Sequence, residues 1–235
     1  MKFSKIARHL NANLDEIMAK RIYLISGLGA DRRAFKKLVF PADFELVYLN
    51  WITPELGESL EAYAARLALK IDTSTPFFLI GLSFGGMLAT EIAKKLNPVH
   101  TFLISSTPVF SGLPWYYKRA GNIRLQKMIP IALFKRINNI GLNFMGAKTQ
   151  DERELLKQLI IDSDPSFIKW ALTCILKWRN KERPSNLTHI HGTADIILPI
   201  RYHKPDITIK GGGHFMVYSN AKEVRDCIIR EINKY

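Results

Sequence analysis

A short apolar run that ends in glycine, serine and glycine at alternate positions constrains the fold more than any other stretch of the sequence. Residues 77–80 are all apolar and indicate a buried strand, and from residue 88 onward apolar side chains recur at helical spacing. Between the two stands Gly81-x-Ser83-x-Gly85. Glycines on both sides of the serine let a strand and a helix approach closely, so the hydroxyl projects from a sharp turn. The start of the helix also directs free N–H groups and a positive dipole end towards that hydroxyl.

The alternative interpretation of this stretch is a glycine-rich turn that carries an inert serine. The pattern alone arises by chance in roughly one chain of this size in thirty. The strand before it and the helix after it favour a serine that is placed for reaction.

Length and composition indicate one globular unit with a sizeable core. The chain has 235 residues, 47% of them hydrophobic, which is enough for one α/β core with an inserted subdomain. It has no run of about 18 apolar residues, so we expect no membrane span, and the N-terminal residues lack the apolar stretch of a secretory signal. Cys174 and Cys227 lie far apart in apolar surroundings and match no metal spacing. Buried thiols in a reducing compartment, and hence a cytoplasmic location, are the simplest interpretation.

The basic character of the chain does not by itself indicate a nucleic-acid partner. The formal net charge is +13, but Lys and Arg are scattered and form neither a dense basic block nor a known nucleic-acid-binding motif. We therefore expect no nucleic-acid partner and interpret the charge as a solvated surface. A preference for anionic substrates or surfaces remains the alternative.

The first twenty residues are predicted to form an amphipathic helical extension. Apolar residues recur there near helical spacing, and Lys2, Lys5 and Arg8 lie off that face. An organelle-targeting helix is the alternative, and Asp15 and Glu16 argue against it.

A glycine-containing loop follows the first predicted strand, residues 21–25. The loop begins Ser26-Gly27-Leu28-Gly29. A nucleotide-binding interpretation fails, because Arg32 stands where a third glycine would be needed and no G-K-[ST] sequence is present. The backbone N–H groups of this loop are left free to face a developing oxyanion.

Strands and helices alternate along most of the chain. This order predicts an α/β fold with a mostly parallel sheet of about six strands, flanked by helices. The predicted strands are 21–25, 45–49, 77–80, 100–104, 187–190 and 206–209, and the predicted helices include 58–71, the segment after residue 83, and 219–232.

The stretch from 108 to 184 has a different pattern, with no clear strands and several short helical segments. It contains 14 Lys and Arg against 6 Asp and Glu, together with many aromatic residues. We predict that it is a helical cap inserted into a core formed by 1–107 and 185–235. The apolar side of the cap would line a pocket, and its basic side would face solvent.

Ser83, Asp195 and His214 occur in the order nucleophile, acid and histidine, each just after a predicted strand. With Gly27-Leu28-Gly29, this order resembles the α/β-hydrolase superfamily, in particular its serine-nucleophile, esterase-like and lipase-like branch. The similarity extends over essentially the whole chain from residue 21.

The resemblance implies a role for each of these residues. Ser83 would be the nucleophile, His214 the general base, and Asp195 the group that orients His214. The backbone N–H groups of Leu28 and Phe84 would form the oxyanion hole.

Three features bear on how far the resemblance extends. Ser26 stands where many members have histidine, which backbone donors should tolerate. The usual opening β-hairpin is not evident, which would leave about six strands. A serine at position 83 excludes the subfamilies that need an aspartate nucleophile there.

Other polar residues have simpler interpretations. Asp195 is also compatible with a helix cap, although the alternative position for the acid carries only Ser105-Ser106. His189 and His191 lie on one strand face, but without a third ligand nearby we expect structural packing and no metal site. His9, His100 and His203 have no partner pattern and are expected to be surface or core residues. Arg32 and Arg33 lie beside the oxyanion loop. We expect their side chains to be solvated, and the alternative is that they bind a carboxylate.

The sequence thus predicts a serine hydrolase without metal or cofactor that acts on a small-molecule substrate. The substrate would be a small-to-medium carboxylic ester with an apolar part, cleaved through an acyl-enzyme. The alternatives are a thioesterase or amidase, a lyase or C–C hydrolase that uses the same residues, and a ligand-binding protein without turnover. Nothing in the sequence indicates the oligomeric state.

Overall fold

The computed structural model describes residues 20–122 and 139–235. The predicted N-terminal helical extension therefore lies outside the described residues, except that Lys20 begins the first strand. The part of the predicted cap from 123 to 138 also lies outside them.

The described residues contain a six-stranded sheet in the order β2-β1-β3-β4-β5-β6, and every neighbouring pair is parallel. This confirms the predicted α/β class and strand number. The strands are β1 Lys20–Ile25, β2 Phe44–Tyr48, β3 Phe77–Leu82, β4 His100–Ile104, β5 Leu187–Gly192 and β6 Ile207–Ile209.

Helices cover both faces of the sheet, as expected for parallel strands that are apolar on both sides. The described α-helices are α1 Leu60–Ala68, α2 Phe84–Leu96, α3 Trp115–Asn122, α4 Asn139–Phe144, α5 Gln150–Asp162, α6 Pro165–Lys177, α7 Met216–Ser219 and α8 Ala221–Ile232. Short 3-10 turns lie at Arg32–Phe35, Phe110–Gly112 and Ile200–Tyr202.

The alternation of side chains along each strand divides the core into two apolar clusters. Every residue of β3 is buried, because both of its faces are covered. Phe78 and Ile80 pack on the side of α8, whereas Phe77 and Leu79 pack on the side of α1 and α2. The burial of both faces explains why β3 is a continuous apolar run without polar alternation.

Helices α3 to α6 all lie between β4 and β5 in the sequence, in agreement with the predicted helical character of this stretch. Thr149 and Glu152 form a capping box at the start of α5, and Asp164 caps α6 ahead of Pro165. After α6, the indole of Trp178 donates a hydrogen bond to the buried carboxylate of Glu91 on α2 at 2.8 Å. This contact joins the helical segment to the core, and its exact extent as a separate cap remains a prediction.

Two further observations concern the described residues alone. Both cysteines are unpaired and buried, as predicted. In these ranges, none of the helices has the length and apolar character needed to cross a bilayer.

Candidate active site

Ser83 occupies a strained turn between β3 and α2. Its φ of 50° and ψ of −116° lie in a region that non-glycine residues rarely adopt. Hydrogen bonds on both sides hold this conformation: Ser83 N–H donates to the carbonyl of Ile104 at 2.9 Å, and Ser106 Oγ donates to the carbonyl of Ser83 at 2.6 Å. The strain is therefore supported by the neighbouring strand β4 and the residues after it.

The glycines around Ser83 are required by close backbone approaches. A Cβ at Gly81 would lie 2.5 Å from the Cα of Gly86, and a Cβ at Gly85 would lie 2.2 Å from the carbonyl oxygen of Ser26. Both distances are too short for any side chain. Gly86 is equally restricted, because its Cβ would lie 2.4 Å from Ser106 Oγ. The first two restrictions were expected from the motif. The third was not, and it arises from Ser106, which follows β4.

The structure brings Ser83, His214 and Asp195 into one chain of hydrogen bonds. His214 Nε2 lies 2.9 Å from Ser83 Oγ, and His214 Nδ1 lies 2.8 Å from Asp195 Oδ2. An ionised carboxylate only accepts, so His214 Nδ1 carries the proton and Nε2 is free to accept one from the serine. This arrangement can deprotonate the hydroxyl of Ser83 as it attacks an electrophile.

Asp195 is held from two directions. Its Oδ1 accepts hydrogen bonds from the N–H groups of Ile197 and Leu198, both at 2.9 Å, while Oδ2 faces His214. Burial by itself would raise the pKa of Asp195. The attraction of His214, its hydrogen bond and the Leu198 N–H outweigh burial and bring the pKa below the ordinary value of 3.8. The carboxylate therefore remains ionised at neutral pH.

Three histidines lie behind Asp195. His191 Nε2 lies 2.7 Å from the carbonyl oxygen of Leu198, so it carries the proton, and His191 Nδ1 accepts from His189 Nε2 at 3.0 Å. The ring of His203 lies 4.6 Å from that of His191. Burial lowers the pKa of His189 to about 2 and that of His203 to about 4, with smaller contributions from the neighbouring rings. These rings are neutral and packed together. Within the described ranges, no three His, Cys, Asp or Glu side chains are arranged so that they could hold a metal ion.

The loop that carries the predicted oxyanion donor lies against the serine. A Cβ at Gly27 would lie 3.3 Å from Ser83 Cβ, and Ser26 Oγ closes the loop by donating to the carbonyl of Ala30 at 2.9 Å. Leu28 and Phe84 line the same cavity as Ser83 and His214. The position of both residues beside the hydroxyl is compatible with the predicted backbone donors.

An apolar cavity of about 270 Å³ opens beside Ser83. Ser83, His214 and Tyr117 are its polar side chains, and burial raises the pKa of Tyr117 to about 12, so the phenol is neutral. Helix α6 supplies Ile168, Leu172 and Ile175. The rest of the lining includes Met87 of α2, Ile160 of α5, Leu113, Met145, Ile197 and Leu198.

Arg33 does not line this cavity, and its charge is paired. Its guanidinium contacts the carboxylates of Asp31 and Asp162, each at 2.7 Å. Arg33 therefore joins the loop after β1 to the end of α5. Arg32 is exposed, in line with ordinary solvation.

Sequence reasoning missed three contributors to the site. His203 joins the histidine cluster from the end of a short 3-10 turn, and no spacing relates it to His189. Ser106 was considered only as the alternative position for the acid, whereas it supports the turn at Ser83. Tyr117 was noted only as one of many aromatic residues.

No family model and no curated protein matches the sequence. Solved structures with a similar fold include a thermophilic esterase from Thermogutta terrifontis, at 17% identity, 92% coverage of this chain, 90% coverage of that chain and a TM-score of 0.66. A putative lipase from Acinetobacter baumannii AYE has 16% identity, coverages of 92% and 84%, and a TM-score of 0.66. MenH from S. aureus has 14% identity, coverages of 92% and 94%, and a TM-score of 0.71.

Identities this low establish the architecture alone. The parallel six-stranded sheet, the flanking helices and these neighbours agree with one another. The chain has the α/β-hydrolase fold.

Proposed function

We propose that this protein is a serine hydrolase that cleaves small-to-medium carboxylic esters through an acyl-enzyme. The observation that supports this proposal most directly is the hydrogen-bonded chain from Ser83 Oγ through His214 to Asp195, with distances of 2.9 and 2.8 Å. The apolar cavity beside Ser83 supports a substrate with an apolar part.

In the first half of the proposed reaction, His214 Nε2 takes the proton of Ser83 as Oγ attacks the ester carbonyl carbon. The carbonyl oxygen becomes an oxyanion and faces the N–H groups of Leu28 and Phe84. His214 then returns the proton to the alcohol oxygen as the C–O bond breaks. The acyl group stays on Ser83 and the alcohol leaves.

In the second half, His214 takes a proton from water, whose oxygen attacks the acyl carbon. Collapse of the intermediate breaks the bond to Ser83 Oγ, which regains a proton from His214, and the carboxylic acid is released. Asp195 holds His214 in one tautomer throughout and stabilises its charged form. None of these steps uses a cofactor.

A fluorophosphonate probe tests the covalent role of the serine. We expect the probe to label the folded protein at Ser83, and we expect the Ser83→Ala variant to remain unlabelled. Folded wild-type protein that takes up no label while binding small apolar ligands would contradict the proposal and favour a binding protein without turnover.

A substrate panel tests the reaction class. The proposed ester specificity predicts that a p-nitrophenyl ester is hydrolysed faster than the matching thioester and anilide. Faster hydrolysis of the thioester or the anilide would be compatible with Ser83 as the nucleophile but would contradict the assignment of an ester substrate. A labelled protein that cleaves none of the three bonds would instead favour the lyase or C–C hydrolase alternatives.

A further inference from the structure

The cavity beside Ser83 extends along one face of α6. Ile168, Leu172 and Ile175 are spaced so that they share this face of the helix, and all three line the cavity. Leu172 and Ile175 are only half-buried although both are apolar. The stripe therefore provides a continuous apolar wall with surface left for a ligand to cover.

Contacts at the two ends of α6 give this wall a direction. At the start of α6, the ring of Phe167 lies 6.4 Å from the ring of Phe84, which directly follows Ser83. Just beyond its end, Trp178 donates its hydrogen bond to Glu91, about two turns further along α2. Helix α6 thus leads away from Ser83 along α2. Ile168 is the member of the stripe near the serine, and Ile175 is the distant one.

The length of this wall sets a scale for the ligand. The step from Ile168 to Ile175 spans about 10 Å at a rise of about 1.5 Å per residue. An extended polypeptide backbone advances about 1.2 Å per bond, because each residue contributes three bonds. An extended aliphatic chain advances by about the same length per bond. The wall therefore matches an aliphatic chain of about eight bonds.

The chemistry of the lining indicates which part of an ester it holds. Among the described residues that line the cavity, none carries a charged side chain apart from the titratable His214, so a charged group would lose its hydration without compensation. The alcohol part must leave after the first half-reaction, whereas the acyl part stays bonded to Ser83. A cavity whose apolar wall runs along α6 away from Ser83 suits the part that stays.

From these observations, we infer that the cavity is a binding site for a medium-length aliphatic acyl chain, of about eight carbons, and that Ile175 sets the maximum length. This inference rests on the proposed function, because it takes Ser83 as the acyl-bearing residue. It goes further in naming the acyl class and the residue that limits it.

A series of p-nitrophenyl esters with acyl chains from acetyl to dodecanoyl tests the inference. We expect kcat/KM to rise about fourfold per added methylene, the factor that corresponds to burying one CH2 group, up to a length near octanoyl, and then to fall. A parallel series of alkyl acetates should show a weaker dependence on alcohol length. A flat acyl series, or a stronger dependence on the alcohol, would overturn the inference while leaving ester hydrolysis intact.

Substitutions on α6 test the role of Ile175. In Ile175→Trp, we expect the optimum to move to shorter acyl chains, and in Ile175→Ala to longer ones. The matched control is Lys169→Trp, which places the same indole on α6 at an exposed position that does not line the cavity and should leave the optimum unchanged. An unchanged optimum in folded Ile175→Trp would contradict the assignment.

Binding to the Ser83→Ala variant separates the cavity from the chemistry. Calorimetric titration with the neutral methyl esters of butanoic, octanoic and dodecanoic acid should show the tightest binding for methyl octanoate. If the wild type cleaves no ester but this order is observed, the proposed function fails and the site for an aliphatic chain stands. If the wild type cleaves esters but none of the three methyl esters binds to the variant, the acyl site is overturned alone.

Discussion

His191 Nε2 lies 3.5 Å from Asp195 Oδ2 and donates its proton to the carbonyl oxygen of Leu198 at 2.7 Å. The same Leu198 donates its own N–H to Asp195 Oδ1. A histidine on β5 thus anchors the loop that positions the carboxylate facing His214. The contact gives His191 a positioning role, since it acts through Asp195 and Leu198 without lining the cavity.

Replacement of His191 should therefore reduce turnover more than substrate binding. We expect His191→Leu to lower kcat by up to about 100-fold, because a small displacement of a catalytic group has effects of this size, with little change in KM. His191→Gln can still donate to the Leu198 carbonyl and should retain more activity. Steady-state kinetics and the pH profile of kcat measure both effects.

The matched control for this prediction is another buried strand histidine. His100 forms hydrogen bonds with Thr188 and Tyr235. It lies at the start of β4, at the opposite edge of the sheet from Ser83. His100→Gln should lower the free energy of unfolding while leaving kcat unchanged. Equal losses of kcat in the His100 and His191 variants would show that His191 acts only on stability.

Ser83→Ala should remove nearly all ester hydrolysis. Loss of the nucleophile typically lowers kcat by about 10⁴ to 10⁶-fold, and we expect a value in this range with p-nitrophenyl octanoate. Ser74→Ala, at an exposed position after α1, should behave as the wild type. If Ser83→Ala retains most of the turnover, another group is the nucleophile.

Much of this site follows from local sequence patterns. Gly81 and Gly85 could be assigned from the motif around Ser83, because backbone segments pass too close to such a turn to leave room for a Cβ at either position. Asp195 and His214 could be placed because each follows a strand, and the carboxyl ends of parallel strands share one edge of the sheet. The distances that join them to Ser83 still had to come from the fold.

Other features of the site depend on contacts between segments that are distant in the sequence. No local sequence pattern indicates these contacts. Gly86 is restricted by Ser106, and Arg33 is paired with Asp162, a residue more than a hundred positions away. His203 approaches His191 only because the turn after β5 folds back over that strand. No periodicity or motif relates these partners, so sequence reasoning could classify each residue alone but not the pair.

Acid should destabilise the protein through its buried histidines. Burial lowers the pKa of His203 from its ordinary 6.5 to about 4 and that of His189 to about 2. Between about pH 6.5 and these values, the unfolded chain binds more protons than the folded one, so the free energy of unfolding falls as the pH is lowered. Above about pH 6.5 this contribution is constant.

Urea unfolding between about pH 7 and pH 5 measures this slope, in a range above the titration of ordinary carboxylates. One histidine kept fully neutral contributes up to about 1.4 kcal/mol per pH unit. His203→Gln should flatten the slope, because glutamine does not titrate. An equally steep slope in this variant would show that His203 is protonated in the folded protein.

The contact between Gly86 and Ser106 predicts a compensating pair of substitutions. A Cβ at Gly86 would meet Ser106 Oγ at 2.4 Å and Ser106 Cβ at 2.6 Å, both side-chain atoms. Gly86→Ala should therefore lower the free energy of unfolding by about 1–3 kcal/mol, as overpacking does. Adding Ser106→Gly removes both obstructing atoms and should recover part of this loss, although the hydrogen bond to the Ser83 carbonyl is lost as well.

Gly85 provides the contrast. A Cβ there would meet the backbone of Ile25 and Ser26 at 2.2–2.7 Å, which no side-chain substitution can remove. Gly85→Ala should thus destabilise the protein to a similar degree in the presence and absence of Ser106→Gly. Urea unfolding of the two double-mutant cycles measures the coupling, which we expect to be favourable for Gly86 with Ser106 and near zero for Gly85 with Ser106. Coupling of equal size in both cycles would mean that Ser106 acts through the whole turn and not through contact with Gly86.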